Sequence, residues 1–310
     1  MTPFRKFYLS CLAFSASWGL WQSPVQAQSV SASVAAELPT TRLLSRYGLE
    51  QAWWGHATLN PKRDKVKFLV VDEENVYAQA TNGVITAFDA DSGKRLWSVQ
   101  LGNRDEPIFP AVSNDQHLLA VNGMTLYCIA RFSGDVVWEL KLPAMPSASP
   151  ATDDQSIYIG TLDGSVYAFD LRKIDQLYRK RLLPQWSYES TRWRYRTSKE
   201  ITTQPHSSGR LVNFASRDGS LYAVSTAERK LTWQFETNAP ISAEVAATET
   251  SLILASEDNF VYCLNRENGL VKWEFASGFP IRRAPRVIND DLYVLPDRGG
   301  LFNLSLGLVI

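Results

Sequence analysis

Short apolar runs alternate with polar turns along most of this chain, and they recur in sets. One series of runs covers residues 76–80 (VYAQA), 118–122 (LLAVN), 157–161 (IYIGT), 211–215 (LVNFA), 252–256 (LILAS) and 292–296 (LYVLP). Each is followed, across a tight turn, by a second run: residues 84–89 (VITAFD), 126–130 (LYCIA), 166–170 (VYAFD), 221–225 (LYAVS), 261–265 (VYCLN) and 301–305 (LFNLS). The runs are short and rich in Val, Ile, Leu, Tyr and Phe, which favours strands. Most are apolar at nearly every position, as expected of strands covered on both faces. No ten-residue window carries a convincing helical stripe. A shorter strand and a polar turn precede each pair, and a strand bearing a Trp follows it.

Glycine punctuates the pattern twice. Gly83, Gly123, Gly164 and Gly219 stand in the hairpin turn between the two apolar runs, where Asn-Gly and Asp-Gly sequences suit type I′ geometry. Gly93, Gly134 and Gly269 stand four residues before a Trp and are predicted to need positive φ. Aligned on Trp97, Trp138, Trp186, Trp233 and Trp273, the units repeat at intervals of 41, 48, 47 and 40 residues. Units of this length with four strands each predict an all-β chain, a β-propeller of four-stranded antiparallel blades with about six blades present. The predicted blade-docking residues are therefore Gly93, Trp97, Gly134, Trp138, Trp186, Trp233, Gly269 and Trp273, each Trp burying its ring against a neighbouring blade.

The ends depart from the repeat. Arg5 and Lys6, the apolar stretch to Trp21 and Val25–Ala27 (VQA) predict a cleaved signal peptide over residues 1–27. Cys11 is a poor lipidation site, because the apolar stretch before it is too short. Residues 28–47 read as a flexible lead-in and residues 48–310 as the propeller domain. At the far end Gly307 opens a fourth strand that stops at Ile310, one residue short of its Trp. Near the start, Gly48–Trp54 (GLEQAWW) resembles a fourth strand without a blade, with Trp53 and Trp54 in the closing position. Either this strand completes the sixth blade, or the full-length protein is longer and belongs to a seven- or eight-bladed ring; the phase of Gly307 favours the second.

Charge and cysteine content narrow the chemistry. Lys and Arg together number 32, as do Asp and Glu, so no net field favours nucleic acid or an anionic membrane. Once the signal is removed no transmembrane span is expected. Export places the chain in an oxidising compartment. Yet Cys128 and Cys263 occupy one repeat position, shared with Ala87, Ala168 and Ala223, in units far apart in the chain, so no disulfide is expected. His56, His117 and His206 fall in different units without ligand spacing, so no metal site is expected.

The stretches DGSVYAFD, NGVITAFDADSGKRLW and NFVYCLNRENGLVKW resemble the pyrroloquinoline-quinone-type propeller repeat family, over about residues 60–310. Within that family the resemblance implies either of two characterised functions, and many other exported proteins share the repeat. Quinone-dependent dehydrogenases carry a quinone and calcium, an Asp base and often a disulfide between adjacent cysteines. The other branch includes the propeller lipoprotein of the outer-membrane β-barrel assembly machinery. This chain has no Cys-Cys pair, and its inter-strand loops are short. The expected function is a non-enzymatic scaffold without cofactor, exported to the periplasm or another extracytoplasmic space, that binds protein partners in the cell envelope.

The largest departure from the repeat lies in the third unit. Residues 171–200 hold nine Lys and Arg against three Asp and Glu, interleaved with aromatic residues. Residues 171–184 are predicted to link the third and fourth strands, and residues 189–201 to lead into the next blade on the opposite face. Arg192, Trp193, Arg194, Tyr195 and Arg196 (RWRYR) are the predicted partner-binding residues, suited to an acidic or aromatic partner.

Overall fold

The computed structural model describes residues 40–306. The expected signal peptide, most of the lead-in and residues 307–310 lie outside that range. The described part of the lead-in ends in one short helix, Thr41–Arg46 (α1), capped by the Thr40 hydroxyl, which accepts from the Leu43 N–H. Among the described residues no helix is long and apolar enough to cross a membrane.

The strands form six antiparallel sheets, each a meander in chain order, as blades of a propeller require. Five have four strands and the sixth has three among the described residues. Residues 40–106 with Arg131–Asp135 form one compact unit; Pro107–Ala130 with residues 136–306 form a second. In the first unit the sheet runs Val66–Val71, Asn75–Ala80, Val84–Asp89 and Arg95–Gln100. Its second strand is buried at every position, as the unbroken apolar run predicts.

Register shows why one position of the third strand is small in the first five blades. Ala87, Cys128, Ala168, Ala223 and Cys263 each pair directly with a Trp: Trp97, Trp138, Trp193, Trp233 and Trp273. An indole needs a neighbour no larger than a methyl or thiol beside it. Immediately after that pair every one of these ladders slips by a residue. A bulge at this place twists the strand locally and aims the Trp out of the sheet.

The indole then lies on a glycine. A Cβ on Gly134 would come within 2.6 Å of Trp97, one on Gly93 within 2.4 Å of Trp53, and one on Gly269 within 2.5 Å of Trp233. All three glycines have positive φ, at +78°, +68° and +71°, so space and backbone both require glycine. The indole N–H completes the contact in two cases: Trp97 donates to the Arg131 carbonyl at 2.8 Å, and Trp53 to the Ala90 carbonyl at 2.7 Å.

Three sequence expectations need correction. First, the docking Trp of the third blade is Trp193, which is buried, whereas Trp186 is 39% exposed on a helix. Second, Gly48–Trp54, expected as a fourth strand, forms no strand and pairs with none among the described residues. Trp53 nevertheless takes the docking position on Gly93 and stacks on Phe88 at 6.1 Å, while Trp54 is 53% exposed and meets His56 edge-on. Third, the chain does contain an amphipathic helix, Leu171–Arg179 (α2). Its nine residues are too few to fill a ten-residue helical stripe.

Cys128 and Cys263 are free and buried. Burial pushes the Cys128 thiol up to about 12 and also raises that of Cys263, so neither is a nucleophile near neutral pH.

Two outcomes follow. Gly134→Ala adds a strained left-handed residue and an overpacked contact, and should cost roughly 2–5 kcal/mol; denaturant unfolding that matches wild type would rule out the contact. Ellman's reagent should leave the native thiols unreacted and titrate both after unfolding in guanidinium, with no reductant needed.

Candidate interaction surface

Third and fourth strands are joined by a tight glycine turn in the first, second and fifth blades. The fourth blade keeps the same turn with Arg229 at φ +60°, its N–H bonded to the Ser225 carbonyl as that of Gly269 is to Asn265. Among the described residues only the third blade inserts a longer segment there, residues 171–190. Asp170 ends the third strand and caps α2, its carboxylate accepting from the N–H groups of Arg172 and Lys173 at 2.9 and 3.1 Å. Ile174 and Leu177, one helical turn apart, are buried. The chain then reverses through Arg181 at φ +58°. It continues as a short helix, Leu183–Trp186 (α3), and a 3₁₀ turn, Ser187–Ser190, into the fourth strand, Thr191–Arg196.

The inward side of this insert does the work of the missing turn. Ile174, Leu177 and Leu183 join a core cluster with Leu140, Leu142 and Phe169, against which Trp138 packs. Trp138 is thus received by side chains, whereas Trp97 and Trp233 are received by glycine backbone.

The outward side is aromatic and basic. Tyr178, Leu182, Trp186 and Tyr188 are 43%, 37%, 39% and 64% exposed, and the Trp186 and Tyr188 rings lie 5.8 Å apart. Both acidic residues of the insert are engaged: Glu189 pairs with Lys173 and Asp175 with Arg179, each at 2.8 Å. Arg172, Lys180 and Arg181 are exposed, and among the described residues no carboxylate pairs with them.

The predicted partner-binding residues fall on the fourth strand itself, not on a linker to the next blade. Alternation along a strand sends Trp193 and Tyr195 into the core and the arginines outward. Trp193 meets Tyr158 at 5.8 Å, and Tyr195 meets Phe214 and Tyr222 at 5.8 Å each. Burial and the nearby Asp218 charge raise the Tyr195 hydroxyl. Arg194 is committed to its own sheet: it pairs with Asp163 at 2.8 Å, donates to the Ser165 hydroxyl at 2.8 Å and lies over Tyr167. Arg192 donates to Gln155 and Ser156 at 3.3 and 3.1 Å. Only Arg196 of the five is exposed with no side-chain partner among the described residues.

A small polar recess of about 90 Å³ lies at the same end of the third sheet, lined by Asp153, Tyr158, Arg192 and Thr226 among others. Burial acts to raise the Asp153 carboxyl. Hydrogen bonds from the Gln155 N–H, Ser207, Tyr158 and the Ser156 N–H outweigh it and hold the carboxyl below its ordinary value. Burial, followed by the same pairing with Asp153, raises the Tyr158 hydroxyl. At about 90 Å³ this recess is below the ~300 Å³ of a small cofactor pocket. Among the described residues no three His, Cys, Asp or Glu side chains gather as metal ligands.

A family model described as outer membrane protein assembly factor BamB matches residues 81–191 and 217–306, more than half the chain. The chain belongs to the BamB family. Solved structures agree on the β-propeller. BamB from Moraxella catarrhalis superposes with a TM-score of 0.56 at 20% identity, covering 76% of this chain and 70% of that one. A computationally designed protein, Ika8, superposes with a TM-score of 0.64 at 12% identity, covering 79% and 72%. At these identities both likenesses concern the fold alone. No curated protein matches the sequence. The first segment of the BamB-family match runs through the helical insert as far as residue 191, so the insert lies within the matched region.

The contrast between two tryptophans checks the assignment. Trp193→Ala should destabilise by roughly 3–5 kcal/mol as a buried aromatic truncation. Trp186→Ala should cost clearly less, about 1 kcal/mol, because its ring is partly exposed. Paired urea melts measure both, and the reverse order would restore Trp186 as the docking residue.

Proposed function

We propose that this chain is an exported, non-enzymatic scaffold that holds protein partners in the cell envelope, in the assembly of outer-membrane proteins. Family membership supports the setting. The observation that carries a binding role is the insert of residues 171–190. Its inner side completes the core, while its outer side leaves two neighbouring rings, a leucine and three cations in solvent. Packing alone gives no reason for that outer composition. Trp, Tyr and Arg are the residues that most often dominate protein interfaces, and a loop displayed on a rigid sheet is the usual place for them. The signal-like N-terminus, with Arg5, Lys6 and Val25–Ala27, supports export.

The test is affinity capture with the mature chain from a detergent-solubilised envelope fraction, followed by mass spectrometry. Specific recovery of envelope proteins at near-stoichiometric amounts is the expected result. Recovery of none, together with a bound quinone chromophore after incubation with quinone and calcium, would replace the scaffold reading with the dehydrogenase one.

A further inference from the structure

Resting on that scaffold reading, we propose that the outer side of residues 171–190 is a docking surface for an acidic segment of a partner protein, seated across Trp186 and Tyr188 between Arg172, Lys180 and Arg181. Charge complementarity identifies the occupant. The insert holds five basic and two acidic residues. Both acidic ones are consumed by internal pairs with Lys173 and Arg179. Three cations therefore face solvent with no local carboxylate to neutralise them, and a partner's Asp and Glu can do so without displacing an existing pair.

The rings supply what charge alone does not. Exposed ion pairs are worth little on their own, ~0–1 kcal/mol. The Trp186 and Tyr188 rings lie tilted against each other and are partly exposed, so a segment laid over them buries aromatic area while its carboxylates pair with cations of the same insert. The platform is also held before binding. Ile174, Leu177 and Leu183 anchor it in the core, Asp170 caps its helix, and the Lys173–Glu189 pair ties the helix to the 3₁₀ turn. Little ordering remains to oppose association.

A lipid surface is the less favoured occupant. The apolar stripe of α2 is turned into the core through Ile174 and Leu177. What remains outside is too polar to act as the apolar face that an interfacial helix sinks into a bilayer.

The experiment places a photo-reactive benzoylphenylalanine at Tyr188 of the full mature chain, irradiates it in envelope extract and sequences the cross-linked peptide. The expected product is a protein adduct whose peptide is rich in Asp and Glu. The yield should fall at least about tenfold in the Arg172→Glu/Lys180→Glu/Arg181→Glu variant, fall similarly in Trp186→Ala, and decline steeply from 50 to 500 mM salt. Arg172, Lys180 and Arg181 are exposed and Trp186 partly so, so these variants should stay folded with melting temperatures within a few degrees of wild type, separating lost binding from lost fold. An adduct to a peptide without acidic excess, a yield indifferent to charge reversal, or an adduct to lipid alone would overturn the docking proposal. So would the absence of any adduct at Tyr188 while the charge-reversed chain still captures envelope proteins; the scaffold reading would survive that result, and only the surface would be wrong.

Discussion

An indole lying flat on a glycine backbone is the contact on which this fold depends. Each part of the repeat serves it. The small residue opposite in the third strand makes room for the ring, the bulge beside it turns the ring out of its own sheet, and the positive-φ glycine four residues ahead of the next Trp provides a surface with no side chain. Trp97 and Trp53 add an indole hydrogen bond to a carbonyl three residues before that glycine. None of these features is stabilising alone. A left-handed turn costs backbone freedom and a bulge forfeits a ladder bond. They are repaid together when a ring of roughly 200 Å² leaves water.

The same constraint explains where variation is tolerated. Arg229 keeps the left-handed turn without a glycine, at a conformational cost of about 1–2 kcal/mol, and Trp193 still buries itself in the cluster with Val212, Phe214 and Tyr222. In the third blade the turn is replaced entirely, and Trp138 instead meets Ile174, Leu177 and Leu183. The receiving surface must be apolar and close, but it need not be backbone. Once side chains take over that task, the length of the connection is no longer fixed by turn geometry.

This is also where the sequence became hard to read. Repeat length, hairpin glycines and the alternation of small residue and Trp made the sheets legible, together with their order. The third blade misled because its insert contains a decoy: Trp186-Ser-Tyr188-Glu and Trp193-Arg-Tyr195-Arg share one polar–aromatic alternation, and the true docking residue is the second. Spacing distinguishes them. Trp193 lies 40 residues before Trp233, like the 40 and 41 of undisturbed units, while Trp186 lies 47 before it. The error carried over to the candidate surface, because basic and aromatic residues on a strand look like an exposed patch until the strand's two faces are separated. Arg194 and Arg192 then prove to be bound within their own sheet, and the exposed rings sit earlier in the chain.

A helix that must pack inward on one side is free on the other, and that freedom decides what the insert contributes. Ile174 and Leu177 are fixed by the core, and Asp170 and Glu189 by the cap and the ion pair that hold the helix in place. Tyr178, Lys180, Arg181, Trp186 and Tyr188 belong neither to that core cluster nor to the cap and ion pair. Solvent-facing helix positions with no packing role are served best by strong helix formers and scattered charge. Two adjacent aromatic rings among uncompensated cations are a costly choice for solubility, and they make physical sense on a surface that spends its working life covered.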